Sequence, residues 1–178
     1  MIRLFTALPL PEDLRLRLAG LGGGIEGARW VAPENLHITL RFIGEVPEDR
    51  AEDIVEALDG VGGGSFPVTL DGTGHFGTGN NARAVWVGVR RTPEIAALHE
   101  RIDRALVGAG LEPEKRKYTP HVTLARLRGA RTGRVRNWLE ANGDFLSLPF
   151  EADRFVLFES RMGRGGSAYL PVAEFPLS

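Results

Sequence analysis

The sequence predicts a mixed domain of helices and strands, folded as two similar lobes across residues 1–178. Three observations lead there. Strand-like and helix-like segments alternate along the chain, and no linker divides it into independent units. The four residues His37-Ile38-Thr39-Leu40 return 84 positions later as His121-Val122-Thr123-Leu124, one copy to each lobe. A length of 178 residues sits within the ~100 to 200 of a typical domain and can bury a sizeable core.

Element by element, residues 2–8 read as a strand. Pro11-Glu12-Asp13 then opens a helix, with proline at its first turn and two acids at the positive end of its dipole, and Gly22-Gly23-Gly24 ends it. Trp30-Val31 and residues 37–43 read as extended. Pro47-Glu48-Asp49 starts a second helix in which Ile54, Val55 and Leu58 keep helical spacing, closed by glycines at 62–64. Residues 66–70 and 84–89 are strand-like, and the stretch rich in glycine and asparagine at 72–81 joins them as the long tip of a hairpin. Thr92-Pro93-Glu94 caps a third helix with Ile95, Leu98, Ile102 and Leu106 on one side, ending near Gly108 and Gly110. The second motif strand follows at 121–127, then a short helix at 135–141. A final pair of strands at 150–159 and 168–175 flanks Gly163-Arg164-Gly165-Gly166, a turn with no following lysine to suggest a nucleotide-binding loop.

Composition removes several chemistries. With no cysteine there is no disulfide, thiolate nucleophile or Cys-based zinc site, a pattern that fits a reducing compartment and makes the cytoplasm the expected location. The apolar stretch in residues 1–10 is broken by Pro9 and is too short for a signal-peptide core or for the ~20 residues of a membrane span. A net charge of −1 argues against coating nucleic acid by bulk electrostatics. The charge is uneven, however. Residues 43–60 carry seven acids and one base, while residues 111–136 carry eight bases and two acids around the second motif. Such a positive stretch is either a field for an anionic ligand or a solvated helix face.

The motif itself implies chemistry. In a strand, residues i and i+2 share a face, so each copy presents an imidazole and a hydroxyl while its aliphatic neighbours pack behind. Two copies facing each other make a two-histidine site. Histidine titrates near ~6.5, so one ring can be neutral and the other protonated, giving a base and an acid in one cleft. For water attacking a phosphodiester, the base takes the water proton and the acid protonates the departing oxygen, each worth ~10² to 10⁴ in rate. Thr39 and Thr123 are suited to donate to the phosphoryl oxygens, where loss of one donor costs roughly 3 kcal/mol. An arginine would add a bidentate phosphate contact. Strand parity favours Arg41, on the His37 face; Arg126, five residues after His121, points the other way unless a bulge near Ala125 brings it round. No His-x-His or HExxH spacing accompanies the motifs, so neither metal nor cofactor is expected.

The segments Glu34-Asn35-Leu36-His37-Ile38-Thr39-Leu40-Arg41-Phe42-Ile43-Gly44 and Pro120-His121-Val122-Thr123-Leu124-Ala125-Arg126 resemble the paired HxTx motifs of the two-histidine (2H) phosphoesterases. Within these, the match is to the bacterial and archaeal RNA 2′,3′-cyclic phosphodiesterases, historically called 2′-5′ RNA ligases. The opening Arg3-Leu4-Phe5-Thr6-Ala7-Leu8, the Gly74-His75-Phe76 turn before Ala84-Val85-Trp86-Val87-Gly88, and Tyr169 are placed as in that family, so nearly the whole chain is covered. The resemblance implies a bilobal α+β fold with pseudo-two-fold symmetry, two antiparallel sheets lining a central cleft and helices outside. It implies metal-independent hydrolysis of a terminal 2′,3′-cyclic phosphate on RNA to a 2′-phosphate. It also implies His37 as proton donor to the leaving oxygen, His121 as acceptor from water, and Arg126 as a phosphate contact.

The implied partners are RNA 3′ ends, or oligoribonucleotides and nucleotides bearing the cyclic phosphate, with no membrane and no obligate protein partner. Two other readings stand beside it: the reverse 2′-5′ joining of RNA ends, and a non-catalytic RNA-end-binding module. Phe42, His75, Phe76 and Tyr169 are the candidate base or ribose contacts, although Phe76 can equally anchor its loop in the core. Trp30 divides between the same two roles, and His99, at the edge of the third helix's apolar stripe, is assigned to packing or solvent.

Overall fold

Two four-stranded antiparallel sheets, with strand orders β10-β9-β1-β3 and β2-β7-β6-β5, carry the two motifs. The computed structural model describes residues 1–178. Along the chain these strands are β1 (Ile2–Pro9), β2 (Arg29–Trp30), β3 (His37–Val46), β4 (Phe66–Val68), β5 (Leu70–Phe76), β6 (Ala84–Val89), β7 (His121–Arg126), β8 (Phe150–Ala152), β9 (Arg154–Gly163) and β10 (Gly166–Pro176). The helices are α1 (Glu12–Ala19), α2 (Ala51–Asp59), α3 (Pro93–Gly108) and α4 (Thr132–Ala141). This is the expected α+β arrangement, with one motif strand in each sheet.

The sheets do not correspond to the two halves of the sequence. The C-terminal hairpin β9-β10 returns to pair with β1, while Arg29 and Trp30 from the N-terminal half cross over to pair with Ala125 and Arg126 of β7. β1 lies between two neighbours, and its run Leu4 to Leu8 is buried throughout. That explains why the run does not alternate apolar with polar residues; its one polar member, Thr6, donates its hydroxyl to the Arg41 carbonyl at 3.3 Å.

α3 forms as its sequence requires. The Thr92 hydroxyl accepts the Ile95 amide at 3.3 Å, and Ile95, Leu98, Ile102 and Leu106, spaced along one face, are all at most 2% exposed. The helix packs on β3 and α2, whose Ile54 and Leu58 face inward. One contiguous cluster of 36 buried apolar residues runs beneath both sheets. No helix is long and apolar enough to cross a membrane.

Three expectations change. The hairpin partner of β6 is β5 at 70–76, not residues 66–70; Phe66–Val68 instead pairs with Phe150–Ala152 in a separate two-stranded sheet. The glycines at 72 and 74 are strand residues. Gly74 lies opposite Trp86, and a Cβ there would overlap the indole, so glycine marks close packing and not a loop. The turn begins at Gly77, which has φ 87° and is backed by the Asn81 carbonyl. Finally, α1 and α2 start later than their prolines suggest: Pro11 precedes α1, and Glu48–Arg50 form a 3₁₀ turn ahead of α2.

Candidate active site

β3 and β7 present their motifs with the same local geometry. The Nδ1 of His37 lies 2.7 Å from the Asn35 carbonyl, and that of His121 lies 2.6 Å from the Thr119 carbonyl, each two residues back along the chain. A carbonyl only accepts, so each Nδ1–H donates and the lone pair of each neutral ring rests on Nε2. The Nε2 of His37 takes the Thr39 hydroxyl at 2.9 Å, whereas that of His121 has no protein partner.

Aromatic rings fix both imidazoles. Phe5 and Tyr169 lie 4.9 and 5.4 Å from the His37 ring, and Phe76 and Trp86 lie 4.8 and 5.7 Å from that of His121.

A bulge closes each motif. The register of β3 against β1 passes from Thr39 to Arg41 over one residue of β1, and that of β7 against β6 passes from Thr123 to Ala125 in the same way, leaving Leu40 and Leu124 as the extra residues. The bulge reverses parity. Arg126 therefore joins the face of His121 and Thr123, as the bulge alternative allowed.

Arg41, favoured by strand parity, is turned behind the sheet instead; it makes no wall of the cavity that holds both histidines and lines only the adjoining one beside His121. Its Nε donates to Asp103 of α3 at 2.8 Å, its other nitrogens bond the Phe42 and Glu112 carbonyls, and its side chain is only 7% exposed. It is a structural cation.

One cavity of about 520 Å³ gathers His37, Thr39, His121, Thr123 and Arg126, with Phe42 and Tyr169 on its walls. Phe76 lines the adjoining cavity beside His121. His75 lies outside both, exposed, with Nδ1 held by the Gly77 carbonyl at 2.9 Å. The strand that points Phe76 toward the site points its neighbour away. Trp30 packs on Trp138 against the core. No group of three or more His, Cys, Asp or Glu side chains is arranged to hold a metal ion.

The family model for LigT like phosphoesterases matches the chain twice, over residues 8–86 and 87–169, with one His-x-Thr motif in each match. The chain belongs to the LigT-like phosphoesterases. It is 38% identical over 146 residues to an RNA 2′,3′-cyclic phosphodiesterase of Aeropyrum pernix, covering 81% of this chain and 83% of that one. To the Thermotoga maritima protein of the same name it is 33% identical, over 94% and 91% of the two chains. The crystal structure of Escherichia coli LigT with 3′-AMP superposes with a TM-score of 0.79 at 28% identity, over 99% of this chain and 98% of that one.

In this LigT-like phosphoesterase the two rings are poor bases at rest. Burial lowers His37 to about 4, reinforced by repulsion from His121 once that ring is charged and by the standing charge of Arg126. Burial and Arg126 lower His121 as well. In each ring the hydrogen bond to the backbone carbonyl opposes the shift without cancelling it. Both are therefore neutral in the unliganded protein near pH 7, where sequence reasoning pairs one neutral ring with one protonated one.

Several cavity residues carry no local sign of a place in the site. Phe5, under His37, is one of several apolar residues in β1. Arg3, Arg29 and Ser160 reach the cavity only through pairing of distant strands. The Asn35 amide donates to the Ser167 carbonyl at 2.9 Å, tying β10 to the first motif. Behind β3, the Tyr118 hydroxyl donates to the Thr39 carbonyl at 2.9 Å and its ring stacks on His99 at 4.1 Å, while His99 Nδ1 donates to the Leu40 carbonyl at 2.7 Å. These two residues brace both sides of the bulge, so the packing role expected of His99 has a defined target.

Proposed function

We propose that this chain hydrolyses the terminal 2′,3′-cyclic phosphate of RNA to a 2′-phosphate, with His37 and His121 as acid and base. The observation that supports this most is the pair of imidazoles, each tethered at Nδ1, on a cavity shared with two hydroxyls and an arginine. The names of its relatives and the 3′-AMP bound to the Escherichia coli protein point to the same substrate class.

The cyclic phosphate enters as an anion between Arg126, Thr39 and Thr123. Its charge opposes the electrostatic depression of His37, so binding favours a proton on that Nε2. His121 Nε2, free of protein partners, accepts a proton from water as the water oxygen bonds to phosphorus. The bond from phosphorus to O3′ breaks, and O3′ takes the proton from His37 Nε2. The products are a 3′-hydroxyl, a 2′-phosphate, a neutral His37 and a protonated His121; exchange with solvent restores the start. A ring whose proton is held weakly is a strong acid once charged, which suits His37 to the leaving oxygen.

The test is identification of the product formed from an oligoribonucleotide ending in a 2′,3′-cyclic phosphate. A 2′-phosphate is expected; a 3′-phosphate, or no turnover, contradicts the reading. The same assay with a 5′-hydroxyl RNA added reports end joining, and a strong chelator is expected to leave the rate unchanged.

A further inference from the structure

A second cavity, of about 380 Å³, adjoins the first and shares Thr39, Phe42 and His121 with it. Its outer walls bring together Phe76, Arg83, Arg116 and Lys117, and its floor is made by the ion-paired Arg41 with His99 and Tyr118 behind β3. Arg83, Arg116 and Lys117 are exposed, and none forms an ion pair, whereas Arg41 on the floor and six further arginines of the chain do. The one acid on the wall, Glu114, accepts the Arg116 backbone amide at 3.3 Å. Phe42, at the junction of the two cavities, is 52% exposed. A lone exposed phenylalanine is ordinary. A ring flanked by a second ring and three uncompensated cations, opening from a cavity that takes phosphate, is a more specific arrangement.

We infer that this annex binds the RNA strand on the 5′ side of the terminal nucleotide, so that an oligoribonucleotide end is a better substrate than a free cyclic nucleotide. The inference rests on the phosphodiesterase reading of the adjoining cavity. A single strand presents alternating phosphate charge and flat base faces. Proteins that follow it combine a positive groove with aromatic rings, and the annex has both within one nucleotide-sized space. The first cavity is already large enough for one nucleotide by the ~300 to 1,000 Å³ of ordinary ligand sites, so the second volume is free for the strand that continues from it. Arg83 comes from the turn before β6, and Arg116 and Lys117 come from the segment between α3 and β7. The positive stretch around the second motif thus supplies two of the three cations.

The test compares a 2′,3′-cyclic mononucleotide with an oligoribonucleotide of about five residues ending in the same group, in the wild type and in the triple variant Arg83→Ala, Arg116→Ala, Lys117→Ala. Wild-type kcat/KM is expected to favour the oligonucleotide about tenfold or more, mainly through KM and more strongly at low salt. The triple variant is expected to lose that preference and its salt dependence while keeping wild-type rates on the mononucleotide, which also shows that it is folded. Equal use of both substrates by the wild type overturns the annex and leaves the phosphodiesterase reading standing. So does a triple variant slowed equally on both, because the cations would then serve the terminal nucleotide itself. Turnover of neither substrate sinks the reading and this inference together.

Discussion

β3 and β7 share a frame and differ in what they hang on it. In both, a backbone carbonyl two residues back fixes the imidazole, a threonine stands two residues on, and a leucine bulge follows. One residue after the bulge β3 has Arg41 and β7 has Ala125, both buried; one further on, Phe42 and Arg126 both face the cavity. The first strand thus spends its arginine on the ion pair with Asp103 and shows the site an aromatic ring, and the second shows it a charge. Thr39 bonds its histidine, while His121 keeps a free Nε2. The difference teaches that the repeated frame makes two equivalent imidazoles, and that its surroundings divide the roles between them.

The comparison can be broken most severely at the histidines. His37→Ala and His121→Ala are each expected to lower kcat by about 10³ or more, and the double variant to be little worse than either single, since acid and base act as a unit. Additive losses in single-turnover kinetics would show that the rings work independently. The two arginines should separate by the quantity affected. Arg126→Ala is expected to lower kcat/KM by about 10² with little change in melting temperature, through the lost phosphate contact. Arg41→Ala is expected to cost about 2 kcal/mol of stability in denaturant unfolding by leaving Asp103 only the Glu114 amide; burial alone would push its carboxyl up, and Arg41 with that amide holds it below its usual range. The folded fraction of that variant should keep near-native turnover.

Stability against pH offers a subtler contrast. His37 gives up its proton at about 4 in the folded protein and near 6.5 when unfolded. Between those values the unfolded chain binds more protons, so stability rises with pH through that window and is level above it, by about 3 kcal/mol in all. His37→Asn should flatten that rise; an unchanged slope would place its cause elsewhere. Thr39→Val and Thr123→Val are expected to slow turnover by about 10-fold to 100-fold each. Only Thr39→Val should also shift the acid limb of a bell-shaped pH profile, because only Thr39 touches its histidine's Nε2.

Much of this was legible before any coordinates. The paired motifs, the capped and striped α3 and the C-terminal hairpin all announce themselves by spacing or by end signals. What stayed hidden has a common physical cause. A bulge formed by leucine looks like any other strand residue, so parity placed Arg41 in the site and left Arg126 dependent on a distortion. Gly74 of β5 signals room for the ring of Trp86, its partner on the neighbouring strand, and reads locally as a loop. Arg29 and Phe5 join the cavity through pairings between segments distant in sequence, and neither carries a local mark of it.

The most direct test of the two-imidazole account is a nitrogen NMR titration of both rings, with and without a 2′-nucleotide bound. The account predicts two neutral rings protonated at Nδ1 near pH 7 in the free protein, and a proton gained at Nε2 by one of them when the phosphate arrives. Two rings titrating independently near their ordinary value, or a bound state in which both stay neutral, would contradict it.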